Sequence, residues 1–380
     1  MSDLTFATVS KVHDIPRQQW DEIFPVEIIE GYDYFKVLDG SNLPGFSIYY
    51  AIVSKQGRAV CIAPFFITEF SFDTTLQGHF KQIVLSLQKI FPSFLKINAL
   101  FFGSPLTEEG IIGFAEDCNI DQTLNFLIQE ATRFCNDKKI SAVTFLNLTG
   151  RDARVMDFLK HCGFGFMEAF PLARLEIKER SLEEYIQSLG KSTRKDVRRK
   201  FKKTQAQTGI RIESRDSLNG ILDQVYQLYL NNYDRGEVSF EKLTPEYFSR
   251  LSENMPGVTK FFIVWLNDKI VGFNLCFVKG DFCTDKYIGF DYAVAHEYNL
   301  YYVTWCHNID WCIKHGIRYY QPGTCDYDPK IRLGCKLVPL YVCSKFLNPI
   351  INCLTAPVLK MISPKNFDPV LRNLHEYEKK

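Results

Sequence analysis

The chain has 380 residues, 46% of them hydrophobic and 14% aromatic, with a formal net charge of +1. That length suits two hydrophobic cores better than one, and the composition excludes a disordered chain. The near-zero charge gives no global bias toward nucleic acid or membrane, so DNA is not an expected partner and any such argument must rest on local charge.

The first residues, Met1-Ser-Asp-Leu-Thr5, lack a basic segment followed by an apolar one, so no signal peptide is expected there. No uncharged apolar run reaches the ~18 residues that a membrane span needs. The 12 cysteines show no Cys-x-x-Cys spacing. Most, such as Cys61, Cys276, Cys306, Cys312 and Cys343, lie inside apolar runs. Reduced, buried thiols in a cytoplasmic protein are expected, with no metal site.

In chain order, the first half runs from 1 to 170. A short helix is predicted over Pro16–Phe24, and a hairpin pairs Phe46–Val53 with Arg58–Ile67 around Ser54-Lys-Gln-Gly57. Leu95–Phe102 reads as a strand ending at Gly103-Ser-Pro105. Asp121–Asn136 has helical periodicity, Ala142–Leu148 reads as a strand, Arg151–His161 as a helix and Phe164–Phe170 as a strand.

The second half, 171–345, repeats this mixture. It opens with a strand at Leu172–Ile177 and helices at Ser181–Leu189 and Thr193–Gln207, then a strand at Ile210–Glu213 and helices at Leu222–Asn232 and Thr244–Ser252. A three-stranded meander follows, Phe261–Trp265, Ile270–Val278 and Phe282–Tyr292, joined by Asn267-Asp-Lys269 and Lys279-Gly-Asp281 turns. Asn299–His315 carries apolar residues at helical spacing and stops at Gly316, a favoured residue just past a helix end. Strands near Arg318 and over Lys336–Lys345 close the half, with a polar loop at Gly323–Lys330 between them. The expected class is α/β (α+β), each half a mixed central sheet flanked by helices. The remaining 346–380 is a tail whose apolar part, Phe346–Ile362, is interrupted by Pro349 and Pro357. It either packs back on the domain or makes peripheral membrane contact through 346–362.

Lys191–Lys203 holds eight Lys or Arg against one Asp. Thr193 with Asp196 has capping-box spacing, and Val197 with Phe201 gives a thin apolar seam. The rest is either a solvated face or a basic rim for an anionic substrate, phosphate or tRNA.

These residues resemble a known group. Ser192-Thr-Arg-Lys-Asp-Val-Arg-Arg-Lys200 followed by Gly209-Ile-Arg-Ile212 is similar to the Ser/Thr-x-Arg-x-x-Ile-Arg-Lys…Gly-Val pattern of Fem-like transferases in the GNAT superfamily. The meander, the helix ending at Lys314-His-Gly316 and Gly323-Thr-Cys-Asp-Tyr-Asp-Pro-Lys330 support it, and Gly103-Ser-Pro105 is similar to a turn of the same group. The resemblance covers most of 170–345 and implies tandem GNAT-like domains with a cleft between or beside them. It implies an N-acyl- or aminoacyltransferase with no tightly bound cofactor, taking acyl-CoA or aminoacyl-tRNA as donor and an amine of an anionic precursor as acceptor.

By that resemblance Lys330 is the cation beside the developing oxyanion, Asp291 or Asp326 the base, and Arg194, Arg198 and Tyr327 contact substrate. The plainer readings are a surface lysine for Lys330, a loop cap for Asp291 and a turn for Asp326 and Asp328. His296 is either a titrating group before the central helix or a structural histidine. Asp285 and Lys286 alternate along one strand, so only one is expected to line a cleft. One departure stands out. Where GNAT enzymes place a glycine-rich pyrophosphate loop, no glycine lies between Gly289 and Gly316, and no residues are assigned to cofactor binding. A long coiled-coil arm typical of Fem enzymes is also missing. A catalytically silent binding protein and an RNA-binding module built on the basic helix are the competing classes.

Overall fold

The computed structural model describes residues 3–25, 28–71, 96–205, 209–236, 241–359, 363–366 and 368–378. The apolar runs of the first half form β1 (Leu4–Val9), β2 (Ser47–Lys55), β3 (Arg58–Ser71), β4 (Lys96–Phe102), β5 (Gly113–Phe114), β6 (Ala142–Leu148) and β7 (Gly165–Glu168). With them are α1 (Arg17–Asp21), α2 (Tyr32–Gly40), α3 (Ile120–Asp137) and α4 (Ala153–His161). The second half contains β8 (Leu172–Glu176), α5 (Leu182–Ser188), α6 (Lys191–Gln205), β9 (Ile210–Arg215), α7 (Leu222–Tyr233) and α8 (Pro245–Asn254). The meander β10 (Thr259–Leu266), β11 (Lys269–Lys279) and β12 (Phe282–Phe290) leads to α9 (Tyr292–Ala295) and α10 (Leu300–Lys314). Then come β13 (Tyr319–Gln321), α11 (Tyr327–Arg332), β14 (Lys336–Val338), β15 (Tyr341–Phe346), α12 (Pro349–Leu359) and α13 (Pro369–Glu378).

These strands build two mixed sheets. The first has the order β1-β2-β3-β4-β6-β15-β7, with β5 on β3, and the second β14-β8-β13-β12-β11-β10-β9. Each contains one parallel pair, β4 with β6 and β12 with β13. Parallel neighbours need a crossover, and α3 and α10 lie in the two connections. The element order read from the sequence as two similar halves is therefore a repeated architecture.

The second half lends a strand to the first. β8, its opening strand, lies between β13 and β14 of the second sheet. β15 leaves the second half and inserts between β6 and β7 of the first. A division at 170/171 thus separates the two sheets for every strand except β15. Sequence periodicity suggests one strand over Lys336–Lys345. Pro339 cannot continue a ladder, and the chain breaks there into β14 and β15, which join different sheets.

One core runs through both halves. Tyr34, Phe35 and Leu38 of α2 cluster with Tyr247, Phe248 and Leu251 of α8 and with Phe273, Leu275 and Phe277 of β11. Thr244, the N-cap of α8, also donates to the Ser41 carbonyl at 2.6 Å. A second cluster under α10 gathers Trp305, Ile309, Cys312, Tyr185 and Tyr320, with Val197 and Phe201 of α6 against it, so the apolar seam of the basic helix is real. That helix starts at Lys191, two residues before the predicted cap, with Arg194 N bonded to Gly190 O at 2.9 Å. The polar loop expected at 323–330 is partly helical, as α11 begins at Tyr327.

In the tail, Leu359 and Ala356 of α12 approach Gly165 of β7, while Ile350, Ile351 and Leu354 face outward. Leu95, Ala206, Gln207 and residues 360–362, which the sequence reading includes in its elements or tail, lie outside the described residues. All 12 cysteines are unbridged, and no cluster of His, Cys, Asp and Glu among the described residues suits a metal.

Ending the chain at Leu340 would remove β15 and leave β6 and β7 without their shared neighbour. The expected result is loss of a cooperative thermal transition by circular dichroism, with aggregation on size exclusion. A monomeric 1–340 chain that melts in one sharp step would contradict the structural weight of β15.

Candidate active site

The site grows from the way β12 and β13 part. They pair only at Phe282↔Tyr319, Cys283↔Tyr320 and Thr284↔Gln321. Beyond Gln321 the chain turns off through Pro322 and Gly323, while β12 continues to Phe290 against β11 alone. The result is a wedge, one side of which is a strand edge with free backbone groups. At its apex β12 is bulged: the register steps from Cys276↔Asp285 to Leu275↔Tyr287, leaving Lys286 as the extra residue. A bulge re-aims side chains, and both Asp285 and Lys286 are taken into polar networks.

Asp285 is the centre of a buried node. Its Oδ2 accepts from Asn274 Nδ2 at 2.8 Å, Asn308 Nδ2 at 3.2 Å and Tyr320 OH at 2.6 Å. Burial pushes its carboxyl up to about 6 against the hydrogen bonds from Tyr320 and Asn274. Lys286 Nζ instead pairs with Glu108 Oε1 of the first half at 2.6 Å, with the two side chains only 7% and 13% exposed.

Glu108 is delivered by the Gly103-Ser104-Pro105 turn. Gly103 has φ +121°, a conformation glycine adopts freely. Leu106 N bonds to Ser104 Oγ at 3.2 Å, and Leu106 O accepts from Tyr34 OH at 3.0 Å. The next residue, Glu109, accepts from Arg174 of β8, in the second half, at 2.8 Å. The two halves are therefore clasped on either side of Lys286.

Two further carboxyls join this crevice, Glu30 just before α2 and Glu241 just before α8. Both are half-buried despite lying deep between the halves. Burial raises Glu30, partly countered by Lys286. Burial raises Glu241 to about 7, countered by Lys286 and by the hydrogen bond from Tyr287 OH at 3.0 Å.

The residues singled out by sequence are distributed around this crevice. Lys330 is buried at 6% exposure, and its Nζ donates to Gly323 O at 3.3 Å and Thr324 O at 2.8 Å. It holds the turn that opens the wedge. Burial lowers its pKa, while Cys325, Glu108 and Asp326 oppose that shift. Asp326 is exposed at the N-terminus of α11, with φ 47° and no side-chain cap bond. Tyr327 is buried, its OH bonded to Pro171 O at 2.9 Å.

Asp291 caps α9, accepting from Ala293 N at 3.0 Å, and pairs with Lys269 at 2.7 Å, which holds its carboxyl below the usual range. Both its oxygens are engaged outside the Lys286 crevice. Arg194 donates to Gln187 O at 2.8 Å, and Arg198 binds Glu183 and Gln187, so both are tied to α5. His296 is exposed. The wedge thus gathers Lys330 near Asp285 and Glu108, whereas Asp291, Arg194 and Arg198 lie in other contacts.

Sequence reading missed Glu30, Glu108, Glu241, Asn274 and Asn308. Only the amides carried a signal: Asn274 and Asn308 interrupt otherwise apolar stretches, Phe273–Phe277 and Trp305–Ile309. The segment between β12 and α10 is filled by α9 and by Asn299, at φ 50°. Asp291 there brings a carboxylate to the place where a pyrophosphate cradle would need open amides.

This architecture, two mixed sheets each with one parallel pair, is that of tandem GNAT proteins. The structure is similar to FemX (14% identity, TM-score 0.56, covering 92% of this chain and all of that one). It is also similar to a tandem GNAT protein from the clavulanic acid biosynthesis pathway (10%, TM-score 0.54, 91% and 99% covered). A third likeness is the C-terminal domain of a putative lysylphosphatidylglycerol synthetase from Agrobacterium fabrum (12%, TM-score 0.52, 89% and 94% covered). The chain belongs to the FemAB-like family, described as peptidoglycan biosynthesis/recognition, which matches residues 11–353. Membership and fold together support a transferase. No curated protein matches the chain.

A carboxyl raised on folding is protonated more readily in the folded state. Glu241 therefore favours folding below its unfolded value, and this contribution is lost as pH rises through about 7. Glu241→Gln is expected to be more stable than the native chain at pH 8, by about 1 kcal/mol for a half-buried group, with the gain vanishing near pH 4.5. Urea midpoints for both proteins across pH 5–8 check this; a difference that does not change with pH would refute it.

Proposed function

We propose that this protein moves an aminoacyl or acyl group onto an amine of an anionic, peptidoglycan-type precursor, with the chemistry in the wedge between β12 and β13. The observation that carries the reading is the splayed parallel pair with Lys286 at the bulge. A strand edge with free N–H and C=O groups suits an extended amide-bearing substrate. Lys286 supplies a fixed cation beside the carbonyl that takes up negative charge. Lys330 and Asp326 sit on the α11 side of the same opening, Lys330 as a positioning residue through the 323–324 carbonyls.

Aminoacyl-tRNA is the donor we favour over acyl-CoA. The filled segment at α9 argues against a CoA pyrophosphate, and α6 offers an exposed basic face. Arg194 and Arg198 are braced on α5, while Lys191, Lys195, Lys202 and Lys203 are exposed. Such a face attracts a phosphate backbone with marked salt dependence. The outward Ile350, Ile351 and Leu354 on α12 favour a cytoplasmic protein that touches the membrane surface, where a lipid-borne acceptor would lie.

The test is transfer of a radiolabelled amino acid from charged tRNA, against acetyl-CoA and longer acyl-CoAs, to a UDP-linked muropeptide or its lipid-linked form. Product from charged tRNA alone is expected. Lys202→Glu with Lys203→Glu should raise the KM for tRNA about tenfold and leave kcat unchanged, whereas Lys286→Met should lower kcat by about 10²-fold or more. A thermal shift and turnover with an acyl-CoA would overturn the donor assignment. No turnover with any donor would leave a GNAT-like binding protein.

A further inference from the structure

A carboxamide at the apex of the wedge is left out of the networks around it. β13 ends its pairing at Gln321, whose register partner on β12 is Thr284. Tyr320 faces α10, where its ring meets Trp305 at 5.2 Å between centroids and its hydroxyl reaches Asp285. Alternation along a strand turns Gln321 to the opposite face. Thr284 shares that face, since its partner on β11 is Phe277, which packs edge-on against Tyr34 of the first half at 6.0 Å. Gln321 and Thr284 therefore lie side by side between the halves, where β12 and β13 begin to part.

Both are deeply buried, Gln321 at 5% exposure and Thr284 at 4%. Gln321 Oε1 is fully enclosed and accepts no hydrogen bond among the described residues. Its Nε2 and the Thr284 hydroxyl make none there either. Turning the amide over would only exchange which end is enclosed unpaired. The donors around the wedge are committed elsewhere: Lys330 to the Gly323 and Thr324 carbonyls, Lys286 to Glu108, and Tyr320 with Asn308 to Asp285. Buried amides are ordinarily paired, so this one is short of both a donor and an acceptor.

The free edge of β12 points to what supplies them. Past Thr284 the strand runs on to Phe290 with no strand paired on its β13 side. An extended peptide laid along that edge takes the place that β13 vacates, and its residue next to the ladder meets the Gln321 carboxamide. In an extended chain the N–H and C=O of one residue point the same way, so one carboxamide bonds both, Oε1 accepting and Nε2 donating.

We infer that Gln321 is a specificity-determining residue that grips one residue of an extended peptide in the wedge through its backbone N–H and C=O. This rests on the transferase reading above and adds the contact by which its acceptor is held. A chain with an ester oxygen in place of that N–H leaves Oε1 unpaired and is rejected.

Titration calorimetry on the full chain tests this with N-acetyl-trialanine N-methylamide and its three ester analogues, each with one alanine replaced by lactic acid. The peptide is expected to bind about tenfold more tightly than one of the esters. Gln321→Met keeps the length and removes both hydrogen-bonding atoms. It should weaken the peptide about tenfold and abolish its advantage over that ester, with circular dichroism unchanged. Gln321→Asn, which keeps the amide but draws it back, should act alike and serves if Gln321→Met misfolds. A native chain that binds no peptide, or binds peptide and esters alike, overturns the inference. So does undiminished peptide binding in a folded variant, which would leave only water at the amide. Discrimination that depends on Gln321, without transfer from any donor, would sink the transferase reading and leave this contact standing. Transfer whose KM and kcat ignore Gln321→Met would do the reverse.

Discussion

The insertion of β15 into the first sheet is the constraint on which the rest of the structure depends. The first sheet is completed by a strand from the second half of the chain, so the halves cannot separate without breaking the ladders to β6 and β7. Arg174 on β8 reaches across to Glu109, beside the Glu108 that pairs with Lys286. A polar crevice between two bodies needs its groups held to a fraction of an ångström, and loosely tethered domains would not hold them so. Here the backbone connectivity itself fixes how Glu30 and Glu108 of one half face Lys286, Tyr287 and Glu241 of the other.

That rigidity is opposed by the groups it brings together. Removing Lys286 and Glu108 from water costs several kcal/mol per ion, which a single 2.6 Å contact offsets only in part. Glu30, Glu241 and Asp285 are each raised by burial, so ionising them works against folding. The two networks divide this burden differently. Asp285 has three donors on one oxygen and is part of the framework, tying β11, β12, α10 and β13 together. Glu241 has one donor and access to solvent, so it is poised for exchange of protons instead of closed packing. Sites that work against stability in this way are a recognised cost of function.

Much of the framework was legible in the sequence. The meander, the central helix with its Gly316 stop and the strand at Ala142–Leu148 followed from periodicity and turn residues. The family followed from the basic helix and the Gly323–Lys330 segment. What stayed hidden depends on contacts distant in sequence. The insertion of β15 into the first sheet could not be read locally, since the strand has the same alternation whichever sheet it joins. Glu30, Glu108 and Glu241 look like ordinary surface carboxylates; only the fold places them around one lysine. Asp285 and Lys286 were expected to divide between cleft and exterior by strand alternation. The bulge at Lys286 changes that local geometry, and both are buried. Asp291 had the position of a base in the chain but lies in a helix cap and an ion pair.

The arrangement of charge ties the site to a kind of substrate. Outside, α6 presents lysines along a helix whose end is pinned to the α9–α10 segment, with Thr204 bonded to Tyr298 O at 2.8 Å and Lys200 over the Tyr302 ring at 3.5 Å. Inside, the crevice is acidic. A substrate that matches this polarity is anionic along its length and cationic at its reacting end. The proposed acceptor, with phosphates and a free amine, has that polarity. The net charge of +1 conceals this, since it is the separation of sign between rim and crevice that selects.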